Sequence, residues 1–489
     1  MLLMAALFLI PLLGGLLLPL FRFRSRLLRG LYTEGVTLAV SLLALRLCLT
    51  PPDDVLTLFS FADLFSLSFR MDGLSRVFTG LLAFLWPLAV LYALEYMPHA
   101  GRENAFFAWY TLSYAAALGV SLAANLFTLY VCYECLTLAT LPLVTHLRDD
   151  PSVRAGRRYL VYSLSGAALA FAGMLLLTRH GAGVDFLPGG GLAHAPSLDY
   201  TLLRVAFVLA FVGLGAKAAL FPLHAWLPAA SVAPTPVTAL LHAVAVVNAG
   251  AYACIRLIWS ACGTSWLRGT WAQAVPLCLS AFTVLFGSAM ALREQHFKRR
   301  LAWSTVSNLS YLLLGASLMT PAGLTGALTH MLAHSLMKST LFFCAGAVLL
   351  RSGREYVQDL RGLGRVMPFT FGVFTLAALA LAGVPPLCGF LSKWNLLTAA
   401  AEAGGRAAAL GVGSLILSAV LTAAYILSIV LSVWFLPLNP DASALAGKNL
   451  DPSWLMKLPL LVLCAAMILL GLFGADATRL LSGVAAGLL

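Results

Sequence analysis

Four ionisable side chains interrupt stretches that are otherwise apolar, and their types point to proton or cation transfer. Glu134 stands between Tyr-Val-Cys-Tyr and Cys-Leu-Thr-Leu, and Lys217 lies in Val-Gly-Leu-Gly-Ala-Lys-Ala-Ala-Leu-Phe. Lys338 follows His330 and His334 at i−8 and i−4, which puts all three on one helical face. Lys393 comes directly after Gly-Val-Pro-Pro-Leu-Cys-Gly-Phe-Leu-Ser, and His224 and His242 flank a proline-rich segment. A charge at the centre of a membrane span costs at least ~2.5–3.5 kcal/mol, so each of these residues requires a reason. Burial penalises the charged form of a lysine and a nearby carboxylate favours it. The Glu134–Lys217 separation would then switch the lysine between holding and releasing a proton. The inert readings are a fixed Glu134–Lys217 ion pair, Lys338 and Lys393 snorkelling to an interface, and histidines that merely pack. Three Lys, one Glu and four His in one apolar chain favour the functional reading.

The backbone around these residues is broken by sequence. Pro222, Pro228, Pro234 and Pro236 follow Lys217, and Gly383, Pro385, Pro386 and Gly389 precede Lys393. Proline removes a backbone donor and clashes with the preceding turn, and in lipid such a break survives only where protein or water satisfies the freed groups. Matching broken helices are the sequence mark of an inverted-repeat transporter.

A bilayer core requires about 20 mostly apolar residues per helix. Fourteen spans are predicted, at roughly 2–20, 31–49, 75–94, 105–123, 126–146, 159–178, 202–222, 235–257, 272–292, 302–319, 323–350, 369–390, 408–436 and 457–474. The two breaks fall in spans 7 and 12. The expected architecture is a single all-α polytopic membrane domain over 1–489. Its repeats would be helices 4–8 (105–257) and helices 9–13 (272–436).

Composition agrees: 61% of the 489 residues are hydrophobic and 10% charged, too little charge to cover a soluble surface. The net charge of +12 does not indicate nucleic-acid binding, because the basic residues sit in short loops between spans. With alternating spans, loops 1–2, 5–6, 9–10 and 11–12 share one side and hold 16 of the 31 Lys and Arg. The opposite side has few, among them Arg70, Arg179 and Arg268, and carries Asp53, Asp54, Asp63 and Asp72. The positive-inside rule puts the basic loops in the cytoplasm and both termini outside. The apolar N-terminus precedes its arginine cluster, the reverse of a signal peptide, and reads as the first helix. Cys132 and Cys135 form a CxxC with no second pair at useful spacing, and they read as small buried residues rather than a metal or redox site.

At the same residues the sequence resembles the proton-conducting antiporter-like family. That family comprises the large membrane subunits of respiratory complex I, their membrane-bound hydrogenase homologues and the Mrp-type cation/proton antiporters. The resemblance covers roughly residues 70–435. It rests on Lys217-Ala-Ala-Leu-Phe-Pro-Leu-His-Ala-Trp-Leu-Pro, on Ala-Pro-Thr-Pro-Val-Thr-Ala-Leu-Leu-His242, and on Phe297-Lys-Arg-Arg-Leu-Ala-Trp-Ser-Thr-Val-Ser. The His330/His334/Lys338 run and the segment ending at Lys393 complete it. It implies a fourteen-helix fold with two inverted five-helix repeats and a hydrated polar axis in the membrane plane. By position, Glu134 and Lys217 resemble the family's glutamate–lysine pair. His242, His330, His334 and Lys338 resemble the central relay, and Lys393 resembles the terminal lysine. Pro222, Pro385, Pro386, His224 and Asn248 would support the breaks and the relay. No metal, redox cofactor or catalytic residue is implied in this chain.

The departures are His296 and Trp394 where relatives often carry acids, and Asn248 near where some carry a lysine, which shifts weight to His242. Lys393, rather than Glu, separates the chain from the middle complex I subunit. With the sequence ending soon after span 14, the long lateral helix of the largest complex I subunit is not expected here. The reading is an H⁺- or Na⁺-translocating subunit of a redox-driven complex in a bacterial or archaeal cytoplasmic membrane. Its redox partners would lie on the cytoplasmic side. The alternatives are a subunit of an Mrp-type Na⁺/H⁺ antiporter and a structural scaffold.

Overall fold

The structure is a computed structural model describing residues 2–21, 23–61, 65–180, 185–194, 200–439 and 447–488. Arg22 and Asp63, two of the loop charges above, lie outside the described residues.

Eighteen α-helices are described. They are α1 (Leu2–Leu17), α2 (Arg26–Leu49), α3 (Gly73–Tyr96), α4 (Glu103–Leu122), α5 (Leu126–Val144), α6 (Asp150–His180), α7 (Tyr200–Gly215), α8 (Trp226–Ala229) and α9 (Thr235–Ala239). They continue with α10 (Val246–Arg256), α11 (Trp271–Arg293), α12 (Phe297–Ser317), α13 (Pro321–Ser352), α14 (Pro368–Ala382), α15 (Cys388–Glu402), α16 (Gly405–Phe435), α17 (Trp454–Leu472) and α18 (Gly474–Ala486). Among the described residues, ten helical segments are long and apolar enough to cross a membrane, and α1, α7 and α14 are shorter apolar helices.

Local chemistry sets the boundaries. Asp72, Asn125 and Thr320 each accept a hydrogen bond from the backbone N–H three residues on, capping α3, α5 and α13. Small residues bring helices into backbone contact. A Cβ added at Gly213 of α7 would lie 2.3 Å from the Ala170 nitrogen of α6, and one at Gly173 would lie 2.5 Å from the Ala206 oxygen. Without a hydrophobic driving force between helices in lipid, such close packing is what holds them together.

The central rod is α13, 32 residues long and buried almost throughout. At 1.5 Å per residue it extends about 48 Å, more than a bilayer core requires. The segment 235–262 beside it is also fully buried. It is not a regular helix: α10 is bracketed by two π-turns, Leu240–Val244 and Leu257–Cys262.

Span 12 is broken as expected, into α14 and α15 separated at Gly383–Leu387. Two features depart from expectation. Span 7 ends early: α7 stops at Gly215, so Lys217 lies in the turn after the helix rather than inside it. An antiparallel hairpin, β1 (Leu56–Phe61) and β2 (Phe65–Phe69), was not anticipated. It docks on the α4–α5 turn through Arg70 N–H to Leu122 O (2.7 Å) and Ala124 N–H to Ser68 O (2.9 Å). The CxxC also differs in part. The two were expected to be buried, but Cys132 is half-buried and Cys135 is exposed.

The connecting segments gather at two faces. Residues of loops 3–4, 5–6, 7–8, 9–10 and 11–12 surround one cavity of about 630 Å³, including His99, Asp149, Ser231, Lys298 and Glu355. Residues of loops 2–3, 6–7 and 8–9, with α18, surround another of about 570 Å³, including Arg70, Asp72, Phe186, Ser260 and Val484. The first is called the basic face below and the second the acidic face, after the loop charges.

Candidate ion pathway

Lys217 is fully buried and held by α5. Its Nζ donates to the Tyr133 carbonyl and to Thr137 Oγ1 (2.7 Å), and lies 3.4 Å from the centre of the Tyr133 ring. Glu134 Oε1 is 3.8 Å away, beyond hydrogen-bond range, and the carboxylate is 19% exposed where the lysine is 0%. The turn bearing Lys217 exists because α7 ends at Gly215 and Ala219 takes a positive φ of 57°. Gly250 of α10 then packs on it, and a Cβ there would sit 2.5 Å from the Ala218 nitrogen.

Two residues before Gly250, Asn248 donates to Ser335 Oγ of α13 (2.8 Å) and to the Ala243 carbonyl (2.7 Å). Ser335 adjoins His334, so this bond joins the Lys217 region to the histidine–lysine face of α13. Lys338 Nζ donates to Ser304 Oγ and to the Leu301 carbonyl (3.3 Å), both on α12. His330 stacks on Tyr311 with ring centres 5.3 Å apart, and its Nδ1 is 3.1 Å from Ser392 Oγ of α15, the residue beside Lys393. His330 and His334 have ring centres 6.2 Å apart.

Lys393 curls back on the helix that precedes its own. Its Nζ donates to the Leu381 carbonyl (2.7 Å) and the Ala382 carbonyl (3.3 Å) at the end of α14. A helix C-terminus carries free carbonyls and partial negative charge, so it replaces a counter-ion for the ammonium. The break is tight enough for this because Gly389 approaches the Ala380 carbonyl, where a Cβ would come within 1.8 Å. Pro385 and Pro386 lie in that break, and Pro222 lies in the one after Lys217. Lys393 also lines a pocket of about 160 Å³ with Tyr311, Phe390 and Trp394, the last two exposed.

The structure thus places Lys217, Asn248, His334, Lys338 and His330 in a buried row, with Glu134 and Lys393 partly exposed at its ends. His242, on the first π-turn, stands beside it against Phe342 (ring centres 4.7 Å). His224 does not join the row, because it is boxed by Phe221, Phe286 and Trp303 at 5.1–5.5 Å. Both ring nitrogens of His242 and His334, Nε2 of His330, and Oδ1 of Asn248 and Asn308 are buried without a protein hydrogen-bond partner. Among the described residues neither Lys338 nor Lys393 has a carboxylate within ion-pair distance. No cluster of three or more His, Cys, Asp or Glu among them is arranged for a metal.

Residues 123–422 match the family described as NADH:quinone oxidoreductase/Mrp antiporter, TM. The chain belongs to that family. Among curated relatives of this antiporter-like family, NADH-quinone oxidoreductase subunit N of Desulforudis audaxviator (strain MP104C) is 34% identical over 417 residues. The match covers 82% of this chain and 81% of that one. Hydrogenase-4 component B of Escherichia coli (strain K12) is 33% identical over 350 residues, covering 69% of this chain and 51% of that one. The chain therefore spans only about half the length of that longer relative. Among solved structures, the archaeal membrane-bound sulfane sulfur reductase superposes with a TM-score of 0.88 at 23% identity, covering 99% and 97% of the two chains. The Mrp complex from Dietzia sp. DQ12-45-1b gives 0.84 at 25%, covering 100% and 98%. The chain is an all-α, multi-pass membrane protein of the antiporter-like family.

Sequence reasoning missed the partners that seat the lysines: Tyr133, Thr137, Ser304, Tyr311 and the α14 carbonyls. Short hydroxyl residues inside apolar runs are too common to single out. It also missed Lys298, buried on the wall of the basic-face cavity with Nζ donating to the Ala233 carbonyl (2.9 Å). Above all it missed Arg256 and Asp72. Arg256 is fully buried and bound bidentately to Asp72, both contacts at 2.6 Å. Asp72 caps α3; burial pushes its carboxyl up, but the Arg256 guanidinium and the hydrogen bonds from Arg256 and Ser75 together hold it down at about 2. The available signal was an arginine followed by a further apolar turn, Leu257–Cys262, rather than by a loop.

Proposed function

We propose that this chain is the ion-translocating membrane subunit of a redox-driven complex, carrying H⁺ or Na⁺ along the row from Glu134 and Lys217 to Lys338 and Lys393. One observation carries this reading: the buried histidines and amides of the row keep polar atoms that no protein group satisfies. Such atoms are costly in an apolar interior unless water reaches them, and a watered row of titratable groups conducts protons. A fixed polar scaffold would instead pair its groups, because a half-satisfied network is worse than an apolar one.

In this reading Lys217 is the first acceptor, biased by Glu134, and Lys338 the central one. His330, His334 and His242 pass the ion between them, and Lys393 is the terminal site. The turns at Pro222 and at Pro385–Pro386 give the two lysines their places, with Asn248 as the bridge. The five-helix units 105–257 and 272–436 act as inverted repeats, a reading supported by the matching break in each. The basic face lies in the cytoplasm of a bacterial or archaeal cell and both termini lie outside. Redox subunits dock on the cytoplasmic side beside further membrane subunits. Moving one charge against ~100 mV costs about 2.3 kcal/mol, which in this reading the partner subunits supply.

A second reading, a subunit of an Mrp-type Na⁺/H⁺ antiporter, is favoured by the near-complete superposition on an Mrp complex. The genes beside this one separate the two. Both readings are tested by Lys217→Ala in the assembled complex in sealed vesicles. Coupled ion movement should fall at least about tenfold, equivalent to ~1.4 kcal/mol of barrier. Unchanged movement with intact assembly would leave the scaffold.

A further inference from the structure

The proposed row accounts for the buried lysines but not for the most deeply buried arginine. Arg256 belongs to a polar stripe on α10 and the π-turn after it: Asn248, Tyr252, Arg256 and Ser260, spaced four apart and all fully buried. Residues four apart share one face of a helix. At the inner end, Asn248 donates to Ser335 beside His334, and its own Oδ1 has no protein partner. At the outer end, Ser260 and Asp72 line the acidic-face cavity of about 570 Å³ with Arg70 and Phe186. The stripe therefore runs from the middle of the buried row to the opposite face from Lys298.

Between these ends the stripe is closed by hydrogen bonds. Arg256 Nε donates to Tyr252 Oη (2.8 Å), and Tyr252 Oη donates to the Ser121 carbonyl (2.7 Å). The two Nη atoms hold Asp72, with Ser75 Oγ at 2.8 Å and Ser260 Oγ at 3.4 Å. A guanidinium does not give up its proton, so it cannot relay one, and its fixed charge repels any cation. Bidentate binding to a carboxylate sets its position as well as its charge. The π-turns on both sides of α10 are the places where a helix can shift register, and they are frequent at functional sites.

We propose that Asn248, Tyr252, Arg256 and Ser260 line an outward branch from the central relay to the acidic-face cavity, and that the Asp72–Arg256 pair is the latch that shuts it. While Asp72 holds the guanidinium across the stripe, the branch is a barrier to cations. When the guanidinium swings into the cavity, water and the Tyr252 hydroxyl connect the relay to the aqueous side. The branch rests on the ion-translocating reading, but its test needs no turnover.

The test is passive proton flux in sealed vesicles carrying the whole complex, driven by a potassium diffusion potential with valinomycin. Arg256→Met should raise the leak several-fold over the native complex. Adding Tyr252→Phe should return it towards the native level. An assembled Arg256→Met complex as tight as the native one overturns the latch. So does a leak that Tyr252→Phe leaves unchanged, since general loosening would explain it. A native complex with no coupled transport would instead sink the proposed function and leave the latch standing. A second measurement keeps Arg256 in place. Ser260→Cys should react with a small impermeant thiosulfonate from the acidic face, and Asn248→Cys should not, against the background of the native cysteines. A silent position 260 or a reactive position 248 also overturns the proposal.

Discussion

Two acid–base pairs with fully buried bases are built in opposite ways. Asp72 and Arg256 meet in two contacts of 2.6 Å, with Ser75 and Tyr252 completing the guanidinium's shell. Glu134 and Lys217 stand 3.8 Å apart, and the lysine bonds instead to a backbone carbonyl and Thr137. The acids are similarly exposed, at 23% and 19%, and the bases are at 1% and 0%, so burial does not distinguish the pairs. What differs is the base and its geometry. Arginine stays charged in a protein, and its planar fork matches a carboxylate; lysine is a point charge that can lose its proton when buried. The tight pair is suited to holding still. The loose pair can change its protonation and its distance at small cost, as a relay needs.

Removing one acid at a time should break this symmetry, with the largest effect at Asp72. Asp72→Asn strands a charge that cannot neutralise itself, and loss of one partner from a buried pair costs ~3–5 kcal/mol. The purified complex should show a large fall in thermal stability or fail to assemble; a native melting curve would refute the assignment. Acid titration comes next. Because the folded-state value for Asp72 is depressed to about 2 from an ordinary value near 3.8, its contribution is complete above the ordinary value. That contribution disappears as the pH drops towards the depressed one, and it amounts to roughly 2–3 kcal/mol. Unfolding measured from pH 5 to pH 2 should show this loss in the native complex and not in Asp72→Asn. The smallest stability effect belongs to Glu134→Gln. Lys217 keeps its carbonyl and hydroxyl partners and is free to shed its proton, so the cost should stay near 1 kcal/mol or less. Ion movement should nonetheless slow. A stability loss matching that of Asp72→Asn would erase the contrast between the pairs.

Most helices were legible because apolar runs of sufficient length have few alternatives in lipid. The pairing of Glu134 with Lys217 was read from the residues themselves, and the family resemblance added the order of the relay. What could not be read depends on tertiary contact. The apolar run 202–222 gives no sign that the helix ends at Gly215, because the prolines stand further on and the turn is completed by Gly250 from another helix. The inert reading of Lys393 was a side chain reaching for an interface, but it is anchored by carbonyls that are free only because α14 stops at Ala382. The hairpin was visible in principle, since Leu-Thr-Leu-Phe-Ser-Phe and Phe-Ser-Leu-Ser-Phe come close to alternating. Arg256 was passed over because a basic residue near the end of a span is usually a flank.

One helix carries His330, His334, Ser335 and Lys338 without a single proline or glycine break among them. Those four groups therefore keep a constant spacing whatever the rest of the molecule does, like marks on a ruler. In the proposed relay, a stroke that alternately opens the row would therefore come from the interrupted segments on its two flanks rather than from a bend in this ruler. The chain thereby separates what is read from what moves.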